Sequence, residues 1–261
     1  MQEQHTDRSE PPRLRLDNIT VRFGGLTALD SVSLDIPAGR IIGVMGPNGA
    51  GKTTLFNVIC GVFPPSGGSL ELDGSGFTPK PHRLTRHGVA RTLQGLGLFP
   101  GLSVRQNVAA GLAATSHRGL GLLALPGAVR DEKRLAVRAM EALDLLGVAA
   151  YADALPDTLP YGIRKKVALA RALVSEPRLL LLDEPAGGLG HEDIEELANI
   201  IRTVPGDGCS VVLVEHHVDL VMAVCDRIAV LDFGRLIAEG TPAEIGADPA
   251  VADAYLGVEV A

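Results

Sequence analysis

Hydrophobic and polar positions alternate through Leu14–Phe23, with Ile19, Val21 and Phe23 in step, and this period of two predicts a β-strand. Ser31–Ile36 (SVSLDI) alternates as cleanly and predicts a second strand paired with the first. Arg40–Met45 (RIIGVM) reads as a buried strand that runs straight into Gly46–Thr54 and then an apolar helix, Leu55–Cys60. Ser69–Leu72 predicts a short strand closed by the turn pair Asp73-Gly74. From Ser103 the period becomes helical, and Ser103 and Gln106 are spaced as a capping box. Residues 113–130 are glycine-rich, contain Pro126 and read as a loop or irregular insertion. Asp131–Leu146 is an amphipathic helix with acidic residues in its first turn, and Gly162–Val174 is another helix.

Strand and helix then alternate. Leu179–Asp183, Ser210–Glu215 and Ile228–Leu231 predict strands, and His191–Arg202 and Val218–Val224 predict helices. Phe233-Gly234 turns the chain into Arg235–Glu239, and Thr241-Pro242 reads as a helix start. Such alternation implies a parallel sheet. The predicted architecture is a polar N-terminal tail (1–13), one α/β unit over 14–245 with a helical insertion at about 100–175, and a C-terminal tail (246–261).

Composition narrows the function classes. A chain that is 46% hydrophobic builds a core, and with 3% aromatics that core is aliphatic, as buried parallel strands require. The formal net charge of −7 excludes nucleic acid as the expected partner, since phosphate backbones are bound by basic surfaces. The basic run Arg164-Lys165-Lys166 reads as a solvated helix face. Cys60, Cys209 and Cys225 lack metal-ligand spacing and read as reduced, buried thiols, from which an intracellular setting is expected. No signal-peptide pattern is present, and no apolar run reaches the ~18 residues of a membrane span.

The candidate chemistry begins at Gly46-Pro47-Asn48-Gly49-Ala50-Gly51-Lys52-Thr53, which fits G-x-x-x-x-G-K-[ST] between a strand and a helix and continues into Thr54. Glycines there let successive backbone N–H groups turn toward phosphates, and the following helix N-terminus adds its positive end. Lys52 is placed to reach terminal phosphates, and the Thr53 hydroxyl to hold Mg2+. Leu179–Glu184 (LLLLDE) is an apolar strand delivering Asp183 to a polar strand end, where it can orient Mg2+; Glu184 can polarise an attacking water.

Between these motifs lies Leu159-Pro160-Tyr161-Gly162-Ile163-Arg164-Lys165-Lys166-Val167-Ala168-Leu169-Ala170-Arg171. It resembles the signature motif of ABC nucleotide-binding domains, and the resemblance covers residues 14–245. It implies a P-loop NTPase core of ABC type with an N-terminal antiparallel β subdomain and an inserted helical subdomain. By motif match it places Phe23 on the adenine ring, although a core role for this Phe is the alternative. It makes Gln94 the Q-loop contact to Mg2+ and His216 the switch histidine at the γ-phosphate. It also puts Tyr161 and Gly162 over the ATP of a partner. The implied activity is ATP hydrolysis with Mg2+, in a head-to-tail pair with an identical or paralogous ATPase subunit. The implied partners are integral membrane permease subunits and, indirectly, a solute-binding protein, on the cytoplasmic face of the membrane.

Three positions depart from the family pattern. Pro160 replaces Ser in Leu-Ser-Gly-Gly-Gln, Gly190 replaces an Asp or Asn, and His217 replaces a frequent Asp. Tyr161-Gly162, Arg91-Thr92-Leu93-Gln94, Glu215-His216 and the end Gly240–Ile245 with Asp248-Pro249 and Ala254–Gly257 are similar to ATPase subunits of branched-chain amino acid importers. The end is shared with ATPases of lipopolysaccharide export, which, with a soluble regulatory ABC protein, is the alternative.

Overall fold

The computed structural model describes residues 12–92, 95–113 and 126–256. The chain begins with β1 (Leu14–Phe23), β2 (Leu26–Ile36) and β3 (Ile41–Met45), followed by α1 (Lys52–Ile59), β4 (Gly67–Leu72), β5 (Ser75–Gly76) and β6 (Val89–Arg91). Three helices come next: α2 (Val104–Ala113), α3 (Pro126–Leu145) and α4 (Tyr161–Leu173). The second half runs β7 (Leu179–Asp183), α5 (His191–Thr203), β8 (Ser210–Val214), α6 (Val218–Val224), β9 (Arg227–Asp232), β10 (Arg235–Gly240), α7 (Pro242–Gly246) and α8 (Pro249–Leu256).

The strands form two sheets among the described residues. One is antiparallel in the order β2-β1-β4-β5; the other has the order β10-β9-β3-β8-β7-β6 and is parallel except for β10. The parallel strands are buried on both faces, and their side chains divide with a period of two. Ile42, Val44, Leu179, Leu181, Val212, Val214, Ala229 and Leu231 face the antiparallel sheet and α1. Ile41, Met45, Leu180, Leu182, Val211, Leu213, Ile228 and Val230 enter a second core with α2 to α8. Each Val, Leu, Ile or Met among them contributes roughly 1.5–3 kcal/mol on burial, so the central sheet is the rigid floor of the molecule.

The helices α2, α3 and α4 are inserted between β6 and β7 and pack on one another through Val108, Leu112, Leu143, Val167 and Ala170. Ser103 and Gln106 form the expected reciprocal cap: the Ser103 N–H donates to Gln106 Oε1 at 2.8 Å, and the Gln106 N–H donates to Ser103 Oγ at 3.3 Å. Thr241 and Glu244 make the same box at α7.

Several expectations are corrected. Helix α3 starts at Pro126, inside the stretch read as irregular, because proline is well tolerated in a helix's first turn. The three-residue strand β6 is too short to show a period. Helix α8 occupies half of the C-terminal stretch read as a tail, its first turn capped by Asp248 Oδ1, which accepts from the Ala250 N–H at 2.8 Å. The basic run in α4 is not a solvated face: Lys166 pairs with Glu196, Arg164 lies over the Tyr161 ring, and Lys165 turns inward.

Candidate functional site

Strands β3, β8 and β7 are neighbours in parallel register, with Val44 level with Val214 and Val214 level with Asp183. With about 4.8 Å between strands, their C-terminal ends gather Gly46, Glu215 and Asp183 along one edge. This is where open α/β sheets hold ligands.

The loop after β3 is shaped by its glycines. Gly46 has φ 146°, and a Cβ there would lie 2.1 Å from the Leu231 carbonyl oxygen, so no other residue fits. Gly51 has φ 103° and would drive a Cβ to 2.8 Å from the Ala28 oxygen. Helix α1 begins directly after it, with no side-chain cap and no acidic residue in its first turn. Its free N–H groups and positive end therefore face the loop and suit an anion. The Lys52 ammonium lies along the loop, donating to the Gly46 and Pro47 carbonyls at 2.6 and 2.9 Å. Burial lowers its pKa, and the nearby Glu184 opposes that shift. Thr53 is exposed on the same turn.

Asp183 is 7% exposed. Burial raises its pKa, and Arg91 of β6 opposes this through a contact of 3.5 Å between Nη2 and Oδ2. Arg91 is itself held over the Phe56 ring at 5.1 Å. Thr92 Oγ1 accepts from the Asp183 N–H at 3.3 Å, so Arg91 of β6 and the residue after it hold both the side chain and the backbone of Asp183. The Asp183 carboxylate and the hydroxyl of Thr53, in the first turn of α1, are oxygen donors of the kind that suits Mg2+.

Glu184 sits at φ 46°, a left-handed conformation that costs a non-glycine residue on the order of 1 kcal/mol. Its N–H donates to the Val214 oxygen at 2.8 Å, and its carbonyl accepts from Lys165 Nζ at 3.1 Å. Lys165 also donates to the Pro185 oxygen at 2.7 Å, tying α4 to the Glu184 turn. Glu215, fully buried, accepts from the N–H groups of Ala186 (2.7 Å), His216 (2.9 Å) and His217 (3.1 Å). One carboxylate thus binds the turn after Glu184 to the turn carrying His216. The His216 ring is exposed, with Nδ1 3.6 Å from Glu215 Oε2.

The P-loop, Asp183, Glu184 and His216 are thus brought to one edge. Phe23 lies at the end of β1, 49% exposed, and meets Phe63 edge-on at 5.2 Å. Tyr161 and Gly162 start α4 and pack toward the loop after Glu184: a Cβ on Gly188 would be 3.1 Å from the Tyr161 ring, and one on Gly162 2.9 Å from the Asp193 carboxylate. Gln94 lies outside the described residues. Sequence reading assigned no role to Arg91, Lys165 or Glu215. Of these, only Glu215 carries a local signal, an acidic residue closing an apolar strand.

The fold and this edge define a P-loop nucleotide-binding protein. A model of the ABC transporter family matches residues 29–187, and one described as branched-chain amino acid ATP-binding cassette transporter matches residues 235–261. The chain is 36% identical over 254 residues to the high-affinity branched-chain amino acid transport ATP-binding protein BraF of Pseudomonas aeruginosa, covering 94% of this chain and 98% of that one. It is also 36% identical over 250 residues to LivG of Escherichia coli, with the same coverage. A crystal structure of the ADP conformation of an ATP-binding cassette of an ABC transporter superposes with a TM-score of 0.80 at 28% identity, over 94% of this chain and 98% of that one. The chain belongs to the ABC transporter family, as an ATP-binding cassette ATPase.

Proposed function

We propose that this chain is the ATP-hydrolysing motor subunit of an importer of branched-chain or related amino acids. The observation that carries this reading is similarity to BraF over 94% of this chain and 98% of that one, joined by the separate match of residues 235–261 to the branched-chain family. Among the described residues no helix is long and apolar enough to cross a membrane, so the transport path belongs to permease partners in this reading. A second ATPase subunit, identical or paralogous, completes the site by presenting its α4 N-terminus, and the complex works at the cytoplasmic face.

In this reading the loop 46–54 cradles the phosphates, and Lys52 leaves the Gly46 and Pro47 carbonyls to meet the terminal ones. Thr53, Asp183 and Gln94 hold Mg2+, which neutralises charge developing on the phosphates when bound. Glu184, fixed at its strained φ, orients and polarises the water that attacks in line. His216 meets the γ-phosphate, held by the Glu215 carboxylate behind it. Phe23 offers its exposed face to adenine. Closure of the α4 helix of one subunit over the other's nucleotide transmits the stroke.

The test is uptake of radiolabelled leucine, isoleucine and valine by the native host with this gene deleted. Uptake is expected to fall and to return with the wild-type gene but not with one carrying Glu184→Gln. Undiminished uptake of all three in the deletion strain, with the purified wild-type protein hydrolysing ATP, sinks the solute class while leaving the ATPase reading standing.

A further inference from the structure

Two backbone groups of the P-loop are held by the C-terminal part of the chain. The Ala50 carbonyl accepts from the Gly234 N–H at 3.0 Å. The Gly46 N–H donates to the Tyr255 hydroxyl at 2.9 Å, across 209 positions of sequence. Gly46 has no side chain of its own to pack, and its φ of 146° is one that other residues rarely adopt. Its orientation therefore rests on its backbone partners. Its carbonyl is held by Lys52, and its N–H by Tyr255.

Tyr255 is well supported for this task. Helix α8 is started by Asp248 and Pro249, and Val251 and the Tyr255 ring seat it on the same core that contains Met45, the residue before Gly46. Burial raises the Tyr255 pKa, with the Gly46 N–H opposing, so the hydroxyl stays protonated through the physiological range. When Lys52 turns to phosphate, Gly46 loses the contact on its carbonyl, and the tyrosine becomes the side chain that keeps the base of the loop in place.

We propose that Tyr255 is a positioning residue for nucleotide: by fixing the Gly46 N–H, the C-terminal helix pre-organises the P-loop and sets its affinity for ATP and ADP. The inference rests on the nucleotide site proposed above. Pre-organisation stabilises the complex by removing an ordering cost from binding. By reciprocity, bound nucleotide stabilises the docked state of α8 to the same degree.

The experiment uses the full chain and Tyr255→Phe, which keeps the ring packing and deletes the acceptor. Binding of a fluorescent ADP analogue and steady-state ATPase kinetics are measured together. The expected result is a rise of about three- to tenfold in Kd and KM, the range of one hydrogen bond. The kcat is expected to stay unchanged, because the reacting groups are untouched. A Phe variant with wild-type Kd and KM overturns the inference. A second measurement needs no variant: hydrogen exchange of the 249–256 amides in the wild-type protein is expected to slow with Mg-ADP. Unchanged exchange in α8, with the 46–54 amides protected by ADP, also overturns it. If the wild type binds no nucleotide at all, the failure lies with the P-loop reading instead.

Discussion

In the proposed mechanism the chemistry rests on one strained residue, Glu184, at φ 46°. Its backbone is held by β8 on one side and by Lys165 on the other, so the direction in which its side chain leaves the backbone is set before substrate arrives. Replacing it with Gln keeps size and backbone contacts but removes the basic oxygen. Turnover is expected to fall by about 10²–10⁴, with nucleotide affinity unchanged, as checked by phosphate release and equilibrium binding. The cysteines are the opposite case, residues whose burial makes them inert. Burial pushes the Cys60 thiol up to about 11 and the Cys225 thiol up to about 12, with Arg91 pulling back at Cys60 and Asp226 adding to the rise at Cys225. Thiolate is the reactive form, so at pH 8 these thiols should label with a disulfide reagent at least about a hundredfold more slowly than an ordinary thiol, and react fully only in denaturant.

At the level of elements, the contact between α2 and α4 depends on the absence of a side chain. A Cβ on Gly111 would lie 2.2 Å from the Arg171 backbone oxygen and 2.8 Å from a Val174 methyl. The first of these atoms is backbone, so the helices themselves have to part. Gly111→Ala should destabilise the protein by about 1–3 kcal/mol in urea unfolding, despite alanine's better helix propensity. The start of α4 offers an opposite change. Pro160 is its N-cap, with extended geometry and no side-chain hydrogen bond. Its missing N–H therefore costs the helix nothing, and the departure from the family pattern fits the element. Pro160→Ser adds a hydroxyl that can cap the first turn, and a gain of about 0.5–1 kcal/mol in urea unfolding is expected. Tightening of the ATP-bound Glu184→Gln pair by the same change, read by analytical ultracentrifugation, would show that this hydroxyl also meets the partner's nucleotide.

For the whole molecule, three neighbouring strands and two cores place the site, and bound ligand should stabilise all of it. At a hundred times its Kd, Mg-ADP contributes about 2.7 kcal/mol to the folded state. For a chain of this size that is a rise in Tm on the order of 5–10 °C. EDTA should remove part of that rise by stripping the oxygen-held cation, whereas a Tm unmoved by chelator would mean that Asp183 and Thr53 do not hold a metal with the nucleotide.

The sequence by itself determined the longer aliphatic strands, because runs such as Leu179–Asp183 are apolar throughout, and it marked the P-loop, because Gly46, Gly51 and Lys52 form a local motif suited to phosphate. It also specified the caps at Ser103 and Thr241, which lie within one helical turn of their partners. Contacts between residues far apart in sequence carry no such local mark. Only the tertiary structure decided that Arg91 faces Asp183, that Lys165 leaves a basic run to hold the Glu184 turn, and that Glu215 joins two loops. Tyr255 shows the reason most clearly: nothing near it in sequence needs its hydroxyl, and its partner is a glycine N–H that the parallel sheet brings to it from the other end of the chain.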